Sequence, residues 1–191
     1  RGFNSEGPLR TYPGSPALVT AALRDEDVLL ACELHPEEHA ALKRALPRTG
    51  RVQVHQRDGF GALTALLPPA QRRGLVLIDP PYEATDELAQ SVAALAPALK
   101  RFGHGTYLWW RPLKSGPALN AADAELRALG VRDALRADLW IDAPAPEGRL
   151  NGSSILVINP PFGLEASLRE ALPFLAEALS KGRHGWRLTL Q

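Results

Sequence analysis

The sequence predicts an α/β protein: an open, mostly parallel sheet with helices on both faces. Two observations carry this. Short apolar runs alternate with Ala- and Leu-rich helical stretches along most of the chain, which is the pattern of strand–helix–strand units. Several runs, such as Gly74-Leu75-Val76-Leu77-Ile78 and Ile155-Leu156-Val157-Ile158, are apolar throughout, as strands buried on both faces usually are.

The predicted strands are Asp27–Glu33, Arg51–His55, Gly74–Asp79, Gly105–Arg111, Asp133–Ile141 and Ser153–Asn159, with a final short strand within 182–190. The predicted helices are Pro16–Leu23, Pro36–Leu46, Gly59–Leu67, Thr85–Phe102, Pro117–Leu129 and Leu164–Ser180. Three helix starts are well marked. Ser15-Pro16 reads as an N-cap followed by proline at the first helical position. Pro36-Glu37-Glu38 and Asp86-Glu87 place acids in a first turn, where the helix dipole favours negative charge.

The chain has 191 residues, 45% hydrophobic and 23% charged. That is ordinary globular usage, enough for a sizeable core in one domain, and it excludes a disordered chain, a coiled coil or a collagen-like fibre. With 22 Lys+Arg against 21 Asp+Glu, the net charge is +1. A nucleic-acid partner would have to be held by a local basic face, since bulk charge is absent. Cys32 is the single cysteine, which allows no intrachain disulfide and fits a reducing compartment. No uncharged apolar run approaches the ~18 residues of a membrane span, and no signal peptide or lipidation motif is present. The chain starts at Arg1, contains no Met and opens in the loop-like stretch Gly2–Pro8. It reads as a piece of a longer protein.

In open α/β sheets, ligands bind outside the carboxyl ends of the strands. Three successive strand ends carry an acid there: Glu33, Asp58 and Asp79. Such a row suits a nucleoside-type ligand, because one acid can accept both ribose hydroxyls and another an amino group on the base. Asp79-Pro80-Pro81-Tyr82 is the most specific of these signals. Two prolines after a strand stiffen the turn and remove two backbone donors. The Asp79 carboxylate and the free carbonyls then form a group of acceptors suited to an exocyclic –NH2, and Tyr82 offers a flat face for a base. A strand-ending turn without function is the bland alternative. A second copy, Asn159-Pro160-Pro161-Phe162, follows Ile155–Ile158. Asn159 is neutral and cannot accept a proton, so this copy is read as a structural turn that also lines the substrate side.

The Asp79–Tyr82 tetrapeptide resembles the catalytic motif of amino-directed methyltransferases that use S-adenosylmethionine. The adenine N6 lone pair is delocalised into the ring. Hydrogen bonds from its two N–H groups to Asp79 and the Pro80 carbonyl would turn the nitrogen toward tetrahedral geometry, aligned with the methyl sulfonium. The carboxylate would stabilise the developing positive charge and take the proton. With a reference pKa of about 3.9, it would not deprotonate the neutral amine beforehand.

The chain as a whole resembles the bacterial 23S ribosomal RNA adenine N6-methyltransferases of the J type. The resemblance runs from about Phe3 to the C-terminus. It rests on Tyr12-Pro13-Gly14-Ser15-Pro16, Glu33-Leu34-His35-Pro36, Asp58-Gly59-Phe60, the run from Arg72 through Asp79-Pro80-Pro81-Tyr82 to Glu83, and Val157-Ile158-Asn159-Pro160-Pro161. It implies a Rossmann-like class I methyltransferase fold over residues 1–191. Ser15, Glu33, Asp58, Gly59 and Asp79 would then contact S-adenosylmethionine, with Asp79, Pro80 and Tyr82 as the catalytic residues. Ser15 at a helix N-terminus suits the methionine carboxylate, Glu33 the ribose hydroxyls, and Asp58 the adenine amino group, with Gly59 leaving room for the ring. The family's first strand, its glycine-rich turn and its N-terminal histidines have no counterpart here. About the first third of the pattern is absent, as in an N-terminally truncated or partly ordered chain or, alternatively, a degenerate relative. This piece alone is expected to bind the cofactor poorly. A gap is expected between the Asp27–Glu33 and Gly74–Asp79 strands, where the missing strand belongs.

Weaker signals complete the reading. His35 and His39 lie at i and i+4, but Pro36 and the lack of a third ligand argue against a metal. His35 reads as a capping residue and His39 as surface. Trp109-Trp110 is expected to end a strand and pack there, with one ring able to meet substrate. Arg48, Arg51, Arg57, Arg72 and Arg73, and the later group Lys181, Arg183, His184 and Arg187, read as solvated loop charge, some of it able to meet RNA phosphates. The resemblance implies a cytoplasmic, monomeric enzyme acting on adenine N6 of 23S ribosomal RNA, protein-free or early in assembly, without metal or membrane. The target base would be flipped out to reach Asp79. DNA adenine methylation, and a non-catalytic nucleic-acid-binding remnant, stand as the alternatives.

Overall fold

The computed structural model describes residues 12–84, 86–114, 116–143 and 150–191. The opening loop before Tyr12 and the predicted helix start at Thr85 lie outside them. The chain divides into two compact units, residues 1–62 and 63–191.

The first unit contains α1 (Ser15–Ala22), β1 (Leu29–Glu33), α2 (Pro36–Ala45) and β2 (Val52–Gln56), and it ends inside α3 (Gly59–Leu66). Strands β1 and β2 pair in parallel, from Leu29 opposite Val52 to Glu33 opposite Gln56. A parallel pair needs a crossover, and α2 supplies it, packing on both strands. Its ends match the helix dipole: Pro36, Glu37 and Glu38 open it, and Lys43 and Arg44 close it. His35 is the N-cap residue of α2 by position, but its ring makes no capping bond. His39 is half-buried, not surface, with its Nε2 3.4 Å from the Val54 carbonyl oxygen. Gly14, not Ser15, is the N-cap of α1, and Ser15 is its first helical residue.

The second unit carries β3 (Leu75–Ile78), α4 (Glu87–Arg101), β4 (Thr106–Pro112), α5 (Gly116–Ala128), β5 (Ala134–Trp140), β6 (Gly152–Ile158), α6 (Leu164–Ala178) and β7 (Gly185–Leu190). Its five strands are ordered β3-β4-β6-β5-β7. Strands β1 and β3 belong to different sheets, so the expectation that these two strands do not pair holds.

The expectation of a mostly parallel sheet does not hold. Strands β3 and β4 are parallel, as predicted, but β4–β6, β5–β6 and β5–β7 are antiparallel, and the sheet is mixed. The reason is the connection from β5 to β6. Only 11 residues, 141–151, join β5 to β6, fewer than the dozen or more that a parallel crossover needs. Strand β6 therefore returns in the opposite direction and inserts between β4 and β5. The apolar run at Leu75–Ile78 is also not buried on both faces. Strand β3 is an edge strand of its sheet, and Leu75 and Leu77 are 59% and 39% exposed. The matching run in β6, an interior strand, does bury Leu156, Val157 and Ile158.

Leu95 and Ala98 of α4, Phe102 just past it, Tyr107 and Trp109 of β4 and Leu119 of α5 are fully buried. The strands also bury an ionic cluster. Asp123 of α5 pairs with Arg111 of β4 and, at 3.0 Å, with Arg136 of β5, while Arg136 Nε donates to Asp138 at 2.8 Å. Arg111 Nη2 donates to Ser154 of β6 at 3.0 Å. Arg111, Ser154 and Asp138 stand opposite one another across three adjacent strands. The Gln191 side chain donates to Asp123 at 2.8 Å. Burial lowers the Arg111 pKa from its ordinary value, and the Asp123 carboxylate opposes that shift. Among the described residues, no helix is long and apolar enough to cross a membrane.

Candidate active site

Strand β3 ends at Ile78, opposite Trp109 of β4, and Asp79-Pro80-Pro81-Tyr82 follows at its carboxyl end. Tyr82 has a φ of +56°, a left-handed conformation rare for a bulky side chain. It turns the chain sharply after the two prolines. The Tyr82 ring is fixed from below by a hydrogen-bond relay. Trp109 Nε1–H donates to the Tyr82 hydroxyl at 2.7 Å, and that hydroxyl donates to the Trp110 carbonyl at 2.7 Å. The Trp110 ring lies 5.7 Å from the Tyr82 ring at 56°. Burial pushes the Tyr82 phenol well above its ordinary pKa, so it stays protonated and keeps donating.

Trp109 is itself clamped. It is fully buried, and the Arg111 guanidinium sits 5.0 Å from its ring centroid, a cation–π contact. The ionic cluster thus holds Arg111, Arg111 supports Trp109, and Trp109 holds Tyr82. Nothing local in the sequence marks this role of Trp109. The sequence reading expected the tryptophan pair to end a strand, whereas β4 continues to Pro112. Only the β3–β4 register places Trp109 under the turn.

Asp79 is exposed, and partial burial of its carboxyl raises its pKa above the ordinary carboxylate value. Among the described residues, neither the Asp79 carboxylate nor the Pro80 carbonyl accepts a hydrogen bond. The turn therefore presents acceptors that the protein leaves unfilled, beside a fixed aromatic ring. Glu87, at the start of α4, is 9% exposed, and its Oε2 has no partner among the described residues.

The second proline motif differs in both place and bonding. Asn159 has a φ of +52°. Its side-chain amide donates to the carbonyls of Gly103 at 2.9 Å and Gly105 at 2.7 Å, clasping the turn between α4 and β4. That makes it the structural turn the sequence reading expected. Because β6 runs antiparallel to β4, its carboxyl end lies at the edge of the sheet opposite Asp79, about 13 Å away at ~3.3 Å per residue. The motif does not line the Asp79 edge, which corrects the expected place at the substrate side.

In the first unit, Glu33 ends β1 and Asp58 follows β2, at one edge of that sheet. Glu33 Oε1 accepts the His35 N–H at 2.8 Å, which leaves Oε2 open. Asp58 caps α3: its two oxygens accept from Phe60 N–H at 3.2 Å and Gly61 N–H at 2.7 Å. A Cβ on Gly61 would meet the Asp58 carboxylate at 3.2 Å, whereas one on Gly59 would meet nothing within 4 Å. Asp58 thus has a structural role that the sequence reading did not include, and the space over Gly59 is open. The Ser15 hydroxyl makes no capping bond. Among the described residues, no group of three or more His, Cys, Asp or Glu is placed to hold a metal.

Each α/β unit carries acids at its strand ends, one of them in the acceptor-rich Asp-Pro-Pro-Tyr turn. The family model described as "Ribosomal RNA large subunit methyltransferase D, RlmJ" matches residues 1–190, and the chain belongs to that family. It is 38% identical over 177 residues to ribosomal RNA large subunit methyltransferase J of Escherichia coli (strain K12), covering 93% of this chain and 63% of that protein. To the protein of the same name from Haemophilus influenzae it is 37% identical over 179 residues, covering 93% of this chain and 64% of that protein. A crystal structure of a Legionella pneumophila protein superposes with a TM-score of 0.86 at 31% identity, covering 94% of this chain and 66% of that one. The chain thus spans less than two thirds of the length of these relatives.

Proposed function

We propose that the chain is the catalytic domain, of Rossmann-like class I type, of an enzyme that methylates the N6 amino group of an adenine in 23S ribosomal RNA, with S-adenosylmethionine as methyl donor. The observation that carries this is the turn after β3: a carboxylate and a carbonyl without protein donors, on a proline-stiffened chain, beside a tyrosine fixed by Trp109. The names of the two relatives support the substrate class.

Asp79 and the Pro80 carbonyl accept the two N–H groups of the adenine, and Tyr82 stacks on its ring. Holding both N–H groups aligns the nitrogen lone pair for attack. Asp79 stabilises the positive charge that grows on the nitrogen and then takes the proton. Its raised pKa makes it a stronger base than an ordinary aspartate. A carboxylate facing no protein donor also avoids competition for the substrate N–H.

The donor set fits the cofactor. Glu33 has one carboxylate oxygen open for ribose hydroxyls. Asp58 keeps a lone pair on each oxygen beyond its capping bonds, enough for the adenine amino group. Gly59 leaves open space, and Ser15 begins a helix. Bound there, S-adenosylmethionine supplies an electrophilic methyl group on a sulfonium. The enzyme would act as a monomer in the cytoplasm.

The test is methyl transfer from labelled cofactor to protein-free 23S RNA by the full-length protein. Asp79→Ala should lower turnover by orders of magnitude and change cofactor affinity less. Normal turnover by this variant would sink the proposal.

A further inference from the structure

The strand directions of the second unit collect more than Asp79 at one edge. Strands β3 and β4 are parallel, and β5, antiparallel to β6, runs the same way as β4. The carboxyl ends of β3, β4 and β5 therefore share an edge with the amino ends of β6 and β7. Lys114 lies just past β4, in a turn whose Leu113 N–H donates to the Gly152 carbonyl at 3.0 Å. Lys181, Arg183 and His184 lie in the loop before β7.

That loop is anchored. Lys181 N–H donates to the Ile141 carbonyl at 2.8 Å, just past the end of β5. The Asp142 carboxylate accepts the N–H groups of Arg183 at 3.1 Å and Ala143 at 2.7 Å. The Ser180 hydroxyl and His184 Nδ1 are 2.7 Å apart. The Arg183 and Ala143 backbone donors both go to Asp142 Oδ1. Lys114, Lys181 and Arg183 are exposed, and none of them forms an ion pair among the described residues. Among the described residues the edge is polarised: Asp79, Glu83 and Asp86 lie at its β3 end, and toward β5 and β7 the cations Lys114, Lys181 and Arg183 outnumber the one acid Asp142.

We propose that this edge is a phosphate track. Single-stranded RNA flanking the target adenine runs from the Asp79 turn past Lys114 to the loop of Lys181 and Arg183, which hold its backbone phosphates. At ~4.8 Å per strand, the loop lies about 14–19 Å from the β3 end. That is a reach of roughly five stacked nucleotides at about 3.4 Å each. Phosphate contacts of this kind set the register of the strand and carry no sequence information. The acidic end takes the base amino group, and the basic end takes the charge of the backbone.

The inference rests on the proposed RNA substrate, and the experiment separates the two. Binding of protein-free 23S RNA to the full-length protein is measured over a salt series, without cofactor. The test variant is the double change Lys181→Ala with Arg183→Ala. The control is Arg73→Ala with Lys100→Ala, which removes the same charge at the opposite edge. Each phosphate contact on a single strand contributes about 0.7 to the slope of log K against log salt. The test variant should lower the slope by about 1.4 and weaken binding about tenfold near physiological salt. Its KM for RNA should rise with kcat nearly unchanged, and its thermal melting should match wild type because the side chains are exposed. The control should keep the wild-type slope. Wild-type slope and affinity in the test variant would overturn the track, as would an equal loss in the control. Failure of the wild-type protein to bind RNA, or tighter binding of duplex DNA, would instead overturn the RNA reading.

Discussion

Asn159→Ala should separate the two proline motifs by stability instead of by chemistry. The change removes the two hydrogen bonds to the Gly103 and Gly105 carbonyls, each worth about 0.5–1.5 kcal/mol. It also places alanine at a φ of +52°, a strain of roughly 1 kcal/mol that asparagine tolerates better. The sum is a loss of about 2–4 kcal/mol, or roughly 6–12 °C in Tm for a chain of this size. Asn159→Gly loses the same bonds without the strain, so it should cost about 1 kcal/mol less. Asn159→Asp gives the second motif the same acid as the first, but its carboxylate would face two carbonyls with nothing to donate. It should destabilise the fold and restore no methyl transfer to an Asp79→Ala protein. Urea denaturation supplies the stabilities, and initial rates on protein-free 23S RNA supply the turnover. Wild-type stability in Asn159→Ala, or rescue of Asp79→Ala by Asn159→Asp, would refute the assignment of the two motifs to opposite edges.

Asp123→Ala strands the buried Arg111 guanidinium and leaves Arg136 with Asp138 alone as its carboxylate partner, and it should cost about 3–5 kcal/mol in urea unfolding. Trp109→Phe keeps the buried ring but removes the N–H that holds the Tyr82 hydroxyl. It should lower kcat about tenfold, the equivalent of one hydrogen bond, with cofactor Kd unchanged. The proton-accepting form of Asp79 is its carboxylate, so kcat/KM should be full at higher pH and fall with acid. Its midpoint should lie above the ordinary ~3.9, because burial raises the pKa. The same shift opposes folding as pH rises through the folded-state pKa, so Asp79→Asn should slightly raise neutral-pH stability in a thermal melt while abolishing turnover.

The element pattern was legible because its signals are local. Proline at the start of α2, acids in first turns and uninterrupted apolar runs each report on a few neighbouring residues. They place the helices and strands to within about two residues at most ends. The direction of β6 is a different kind of fact. A period-two apolar strand reads alike both ways, and only the pairing with β4 shows that Asn159 and Asp79 end their strands at opposite edges. Leu75 and Leu77 misled for a related reason. Apolarity alone does not say which strand is an edge, and on β3 both side chains are exposed. Asp79, Pro80 and Tyr82 were visible as a motif, but the buried Trp109 under Tyr82 depends on the β3–β4 register. Asp58 was read by its chemistry alone, and its capping of α3 emerged from backbone geometry.

The ionic cluster also limits how the sequence can drift. Arg111, Asp123, Arg136, Asp138 and Ser154 lie on β4, α5, β5 and β6 and share buried bonds. Any one of them lost alone leaves a buried charged group short of a partner. Replacing the whole set with apolar side chains of similar volume would instead be close to neutral. The positions are therefore strongly epistatic, and their effects should not add. Escape from the cluster requires several changes together. One of those changes, at Arg111, would also remove the support beneath Trp109 and Tyr82, so drift in the core is coupled to the turn that faces the substrate.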